Sequence, residues 1–433
     1  MLNKLLKNKH IQALFDQGFA SGVAFLSFLV LVRSFGTEDF GTWVMYTTFV
    51  NFLEMIKTGF LSASLIKFSS GQSKEVKNRL IGTSFVLNLL ITLGFTLVVV
   101  LMYYLVPLFS DNDNSSFYLV LFYPLFSLLS IPYNYFQWSR QVDLDFASIV
   151  KLRAVNVTMF LLVTLAVYFF NKTLLDLVLM QLLVFGLTSL ISIFMGGTGI
   201  KFLSECNRDD AKLLTDFGKY NTLVFLGSNV LKSADVFLIG SFMGNTSVAI
   251  YSIALRFVEL IELPIKGVGS VLMPKLSLHH NRGDMKMFGE ALNKYLGLAV
   301  VVYVPFILGL FIISSPLIML VGGEQYLDSV FIFRLFLIYG LFTPFDRLTG
   351  VGLNALNMPR QNFIKVTVMA LFNIIGDLLV IHFFESFNLV AVVTIFNALI
   401  GICIGVYFLR KMVEFSAKGV YDLLKSQVSQ MLN

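Results

Sequence analysis

The sequence predicts an all-α, polytopic membrane protein: twelve transmembrane helices in two pseudo-symmetric six-helix bundles. Three observations carry this expectation. Of 433 residues 57% are hydrophobic and only 13% charged, with a mean hydropathy of +0.80. Soluble globular domains carry about 25% charged residues, so a water-soluble enzyme is excluded, as is a disordered or collagen-like chain. The apolar runs are continuous rather than alternating, which excludes a membrane β-barrel. Lys and Arg fall almost wholly in alternate loops.

A helix crossing a hydrocarbon core of about 30 Å needs roughly 20 mostly apolar residues. Segments near 13–35, 40–62, 80–106, 117–137, 150–170 and 175–197 meet this in the first half of the chain. Segments near 217–240, 247–270, 293–314, 329–351, 363–384 and 389–410 meet it in the second. The basic start, Met1–Phe15, precedes an apolar stretch without a small-residue cleavage site and reads as retained, not as a signal peptide. Between spans, 24 Lys and Arg lie on one side, Lys365 counted among its loop residues, and only Arg33 and Lys172 on the other. Positive charge marks the cytoplasmic face, so both termini are expected to be cytoplasmic. The Gly196–Gly199 run reads as the cap of the sixth span, and His279 and His280 as solvated residues of a cytoplasmic loop.

The domain organisation follows. Residues 1–200 form the N-terminal bundle, 201–216 a cytoplasmic linker and 217–413 the C-terminal bundle. Residues 414–433 form an amphipathic tail with Val420, Leu424, Val428 and Met431 on one face, suited to lying on the cytoplasmic leaflet. The halves carry a trace of duplication. At a spacing of about 208 residues Trp43 aligns with Tyr251, Glu54 with Glu262 and Gly59 with Gly267.

Ionisable residues inside apolar spans cost several kcal/mol unless paired or hydrated, so each is a functional candidate. The bases are Lys57, Lys232, Arg256, Lys266, Arg334 and Arg347; the acids are Asp16, Glu54, Asp235, Glu259, Glu262, Asp346 and Asp377. Arg256, Glu259, Glu262 and Lys266 share one face of the eighth span, which cannot face lipid. Glu54 with Lys57 and Glu262 with Lys266 have the spacing of structural ion pairs. Lys232 and Arg256, near mid-span on successive helices, are the stronger candidates for an anion site. Asp235, Glu259 and Asp377 are the candidates for taking up H⁺ or Na⁺. Pro124, Pro132, Pro264, Pro305 and Pro344 are expected to bend their helices. Trp43 and Trp138, near span ends, are expected in the interfacial aromatic belt. There is no Walker A loop or HExxH motif, the cysteines are only Cys206 and Cys403, and no metal site, cofactor or nucleic-acid partner is expected.

Three stretches carry a family resemblance. Val32-Arg33-Ser34-Phe35-Gly36-Thr37-Glu38-Asp39-Phe40-Gly41-Thr42-Trp43 follows the first span, and Ile239-Gly240-Ser241-Phe242-Met243-Gly244 leads to Tyr251 as its counterpart. Gly352-Leu353-Asn354-Ala355-Leu356-Asn357 follows the tenth span, with Asn373 in the eleventh. With these the chain resembles the polysaccharide and O-antigen flippases of the multidrug/oligosaccharidyl-lipid/polysaccharide exporter superfamily. The resemblance implies two six-helix bundles in a V around a central cationic cavity. It implies a flippase in the bacterial inner membrane, not an enzyme, moving an undecaprenyl-pyrophosphate-linked oligosaccharide to the periplasmic leaflet by alternating access, for O-antigen or lipopolysaccharide assembly. Its partners would be that substrate, membrane lipids and other polysaccharide-assembly proteins. Lys57, Lys232, Arg256, Arg334 and Arg347 are the residues placed to bind the substrate anion. Acids as numerous as bases in the membrane keep a cation-coupled multidrug antiporter open as an alternative. A membrane polysaccharide polymerase stays open too, although the longest outside loop, Phe109 to Phe117, is short for one.

The charge asymmetry makes a topological prediction. A single cysteine at Ser204, in a Cys206-free background, should resist an impermeant thiol reagent in intact cells and react once the membrane is permeabilised.

Overall fold

The computed structural model describes residues 9–109, 115–143, 145–196 and 198–413, with the side chains of 9–17, 106–109, 115–117, 220, 221 and 223–232 left aside. The expected tail, 414–433, and the Asp16 side chain lie outside the described residues. Every regular element among the described residues is helical. The helices are α1 (Lys9–Ser34), α2 (Thr37–Ser69), α3 (Lys74–Phe109), α4 (Tyr123–Val142), α5 (Phe146–Phe169) and α6 (Leu174–Met195). They continue with α7 (Arg208–Met243), α8 (Asn245–Asn281), α9 (Met285–Ile312) and the short α10 (Ser314–Gly322). α11 (Ser329–Ala355), α12 (Pro359–Phe384) and α13 (Phe387–Arg410) complete the set. Each predicted span falls on its own long helix, and among the described residues nine helices are long and apolar enough to cross a membrane.

Helix ends follow local chemistry. Thr173 and Asp176 form a reciprocal capping box at the start of α6. Asp284 accepts from the Met287 N–H at 2.9 Å to start α9. Asp145 caps α5, where hydrogen bonds from Ser148 hold its carboxyl below the usual range. Gly196, at φ 75°, ends α6 in a conformation that only glycine adopts freely, as the Gly-rich run predicted. His279 and His280 differ from expectation: they occupy the last turn of α8, not a loop.

The chain forms two compact units, 1–226 and 227–433, which divide within α7. In the first, α1 packs on α5 and α4 on α6. Its core gathers Leu61, Leu65, Ile81, Phe85, Tyr135 and Trp138. Trp43 and Trp138 are only 6% and 7% exposed, so neither belongs to an aromatic belt. Trp43 stacks on Phe160 and Trp138 packs at a tilt against Tyr135, because large rings bury more apolar surface in the bundle than at its rim. Residues 200–219 are pinned to this unit. Arg79 Nε reaches Asp210 Oδ2 at 2.6 Å, the Asn207 N–H donates to Thr83 Oγ1 at 3.0 Å, and Lys67 sits 4.0 Å from the centroid of Phe217.

In the second unit α11 packs against α8, α9, α12 and α13. Glycine permits the closest approach: a Cβ on Gly401 of α13 would lie 2.6 Å from Asp346 Oδ1, and one on Gly405 2.6 Å from Thr349 Oγ1. This GxxxG spacing lets two backbones meet without a hydrophobic driving force, as membrane interiors require. Pro264 stands inside α8, which continues through it as one helix. The Tyr303 hydroxyl is inserted one residue on, donating to the Ile261 carbonyl at 2.7 Å and accepting from the Ile265 N–H at 3.1 Å. A side chain inserted into the helical ladder acts as a splint there, because it satisfies the backbone groups that it separates. Outward, α12 exposes Leu371, Ile375, Leu379 and Phe383 at four-residue spacing, and α3 exposes Leu90, Leu93, Leu97 and Leu101. Apolar stripes of this length face lipid, not water.

Removing the splint should be felt. Tyr303→Phe leaves two buried backbone groups of α8 without their partner and should destabilise the protein by about 1–3 kcal/mol. Thermal melting in neutral detergent, against Tyr104→Phe at an exposed position, reads that loss.

Candidate functional site

Most intramembrane charges of the second unit meet in three polar layers. The first joins α7, α8, α12 and α13. Tyr251 donates its hydroxyl to Asp235 Oδ2 at 2.6 Å. The Asn373 amide donates to Asp235 Oδ1 at 2.8 Å and to Asp377 Oδ2 at 2.5 Å, so it bridges two carboxyl groups. Asn397 in turn donates to Asn373 Oδ1 at 3.0 Å. All five side chains are buried, Asp377 with no exposure at all. Among the described residues no Lys, Arg or His forms an ion pair with either acid. Asp377 Oδ1 and Asn397 Oδ1 are buried acceptors without a hydrogen-bond partner. The helical repeat explains the assembly: Asn373 and Asp377 stand one turn apart on α12 and present adjacent polar groups to α7 and α13.

The second layer neutralises itself. Arg347 Nη2 lies 2.9 and 3.0 Å from the two oxygens of Glu262, Tyr339 donates to Glu262 at 3.1 Å, and Lys266 stands 3.4 Å away. The expected pair of Glu262 with Lys266 is present, and Arg347 from α11 joins it. The third layer corrects the sequence reading of Lys365 as a loop charge. Lys365 lies within α12, 3% exposed, with its ammonium 2.6 Å from Asp346 Oδ1, 2.6 Å from the Asp346 carbonyl and 3.3 Å from Thr349 Oγ1. Two glycines of α13 make room for this buried pair, which hydropathy could not reveal because Lys365 stands near a span end.

The remaining candidates are placed apart from these layers. Lys57, 1% exposed, donates to Glu54 at 2.9 Å and to Ser127 at 2.5 Å inside the first unit. Ser127 also donates to Glu54 at 2.8 Å, closing a small ring of polar contacts. Arg256 pairs with Glu259 at 2.5 Å, and Glu259 is largely exposed. Arg334 donates to Ser314 at 2.9 Å and lies over Phe311. The side chain of Lys232 lies outside those described.

Residues 30–331 match the family described as "Polysaccharide biosynthesis protein". The chain belongs to this family. Over 170 residues, 38% of the chain, it is 21% identical to the "Probable low-salt glycan biosynthesis flippase Agl15" of Haloferax volcanii. Over 202 residues, 46% of the chain, it is 23% identical to the "Uncharacterized membrane protein MJ1068" of Methanocaldococcus jannaschii. The matches span only 36% and 40% of the length of these curated relatives. Among solved structures it resembles the inward closed lipid II flippase MurJ with a TM-score of 0.72. Identity there is 16%, over 96% of this chain and 91% of the other. An inward-facing multidrug resistance MATE family transporter of the MOP superfamily gives 0.74 at 12% identity, over 90% and 95%. This family member is therefore a multi-pass helical membrane protein with the fold of these transporters.

Within this family member, sequence reasoning selected Asp235 and Asp377 as candidates but not that one amide bridges them. Tyr251 entered only as an aromatic and Asn373 only through resemblance, while Asn397, Tyr339 and Thr349 were missed. The available signal was weak: uncharged polar residues recurring at helical spacing inside apolar spans.

Lys57 gives a sharp test of a buried pair. Lys57→Met leaves Glu54 uncompensated and should cost about 3–5 kcal/mol, whereas Glu54→Gln with Lys57→Met should recover most of it. Membrane abundance and melting temperature of the two variants check this.

Proposed function

We propose that the protein is a transporter, a flippase that carries an undecaprenyl-pyrophosphate-linked oligosaccharide from the cytoplasmic to the periplasmic leaflet of the bacterial inner membrane. The observation that carries the reading is the bridged carboxyl pair Asp235 and Asp377, with no base paired to it among the described residues, in a chain of the polysaccharide biosynthesis family. Family membership and a curated relative described as a probable glycan flippase support a lipid-linked glycan as cargo. The MOP fold, shared with the lipid II flippase and with multidrug transporters, supports alternating access.

The carboxyl pair supplies the coupling. Two carboxylates bridged by one amide in an apolar surrounding repel strongly unless a proton or a cation joins them. Na⁺ is a hard cation and takes oxygen ligands. Asp377 Oδ1 and Asn397 Oδ1, both without hydrogen-bond partners, are oxygens available to it, and the Asn373 amide links Asp377 to Asp235. Uptake and release at this pair would couple an H⁺ or Na⁺ gradient to transport. Glu259, exposed and already opposite Arg256, suits that role less.

A pyrophosphate needs fixed positive charge, which Arg supplies as a planar fork. Arg256 and Lys232 are assigned that contact. Arg256 is only partly buried and its partner Glu259 is exposed, so an anionic cargo can compete for it. Lys57 is engaged with half-buried Glu54 and Arg347 with buried Glu262, and Arg334 serves Ser314.

Asp235→Asn and Asp377→Asn should each lower glycan-lipid translocation in reconstituted vesicles by about tenfold or more and abolish its ion dependence, with normal abundance. Arg256→Ala should lose translocation, and Arg256→Lys should regain part of it. Full, gradient-dependent transport by both Asn variants removes the coupling site. Drug extrusion without glycan-lipid movement assigns the chain to the antiporters of the same fold.

A further inference from the structure

At the end of the second unit that carries the Lys-rich loops, a cleft of about 1070 Å³ opens between the last turns of α8, the first turns of α9 and the residues following α13. Lys275, Lys286 and Lys294 line it together with Glu290, so three cations face one acid there. Lys286 and Lys294 are exposed, and among the described residues no acid pairs with them or with Lys275. Lys275 donates to the Tyr295 hydroxyl at 2.7 Å and lies 5.2 Å from its ring, so a neutral partner holds its position and leaves its charge uncompensated. Deeper in the cleft stands Asn293, 7% exposed, whose Oδ1 has no hydrogen-bond partner. A buried amide acceptor without a partner in the wall of an open cleft points to a ligand that brings a donor. The rim is apolar: Met287 and Met412 are exposed beside the lysines.

We infer that this cleft binds the headgroup of an anionic phospholipid that carries both a phosphodiester and a free hydroxyl, as phosphatidylglycerol does. Lys275, Lys286 and Lys294 take the phosphate as point charges, and Asn293 Oδ1 accepts the hydroxyl. Exposed methionines next to cations meet the acyl boundary as amphipathic interfacial surfaces do. A free phosphate ion needs neither that apolar rim nor so large a volume. The site is separate from the bridged carboxyl pair and from Arg256, and shares no residue with either.

Amine-acylation footprinting of the full chain in nanodiscs tests this. In discs of phosphatidylcholine containing about 30% phosphatidylglycerol, labelling of Lys286 and Lys294 should fall about threefold relative to pure phosphatidylcholine, each normalised to exposed Lys74 and Lys212. Lys275→Gln and Asn293→Leu should each weaken that protection while the melting temperature in pure phosphatidylcholine stays near wild type. Asn293→Leu should spare protection by phosphatidic acid, which offers no headgroup hydroxyl donor beyond its phosphate. Equal labelling in both discs overturns the proposal. Protection in pure phosphatidylcholine by millimolar inorganic phosphate or pyrophosphate overturns the lipid assignment in favour of a free anion. Low labelling in phosphatidylcholine that rises on removal of residues 414–433 overturns it in favour of the chain's own C-terminal residues, which begin beside Val413 at the cleft.

Discussion

Asn373 holds two carboxyl groups together where no base is paired with either among the described residues, and the second unit is organised to make that arrangement tolerable. The amide satisfies one oxygen of each acid, Tyr251 satisfies another, and Asn397 locks the amide from the far side. Four helices contribute, so the polar cluster also fixes their register. Each interaction is stronger in a low-dielectric interior than in water, and each missing partner is costlier for the same reason. Asp377 Oδ1 and Asn397 Oδ1 are left without a hydrogen-bond partner among the described residues.

In the other layers each acid has a basic partner. Glu262 is met by Arg347, Lys266 and Tyr339, and Asp346 by Lys365 with support from Thr349. In the first unit Glu54, Lys57 and Ser127 form a smaller closed set. Burying ions in this way contributes little net stability compared with apolar packing, but losing one partner is expensive. Closed pairs hold helices in place, whereas the carboxyl pair is joined by amide and hydroxyl groups, with no base paired to it among the described residues.

The helices that carry these groups are held by van der Waals fit rather than by exclusion of water. Gly401 and Gly405 bring α13 close to α11, so Asp346, Thr349 and Lys365 are enclosed among three helices. Tyr303 from α9 stands in the ladder of α8 next to Pro264, bridging the Ile261 carbonyl and the Ile265 N–H. Family membership and the MOP fold accord with this construction, in which polar groups are concentrated inside a bundle of long apolar helices.

Composition and periodicity alone determined that the chain is a bundle of apolar helices, because a backbone in hydrocarbon must satisfy itself and hydropathy records that demand residue by residue. They also determined which charges are anomalous, since Asp235, Glu262, Arg347 and Asp377 stand inside runs that exclude charge. The i, i+3 and i, i+4 pairs Glu54–Lys57, Arg256–Glu259 and Glu262–Lys266 were legible for the same local reason. Partners on different helices were not. Asp235 and Asn373 are 138 positions apart, and Glu262 and Arg347 are 85 apart. Trp43 and Trp138 were misplaced at the interface, and Lys365 in a loop, because depth along a span does not tell which side of a helix faces the bundle. Only the tertiary structure decided which charges cancel and which stay open, because that depends on helix contacts which no local pattern encodes.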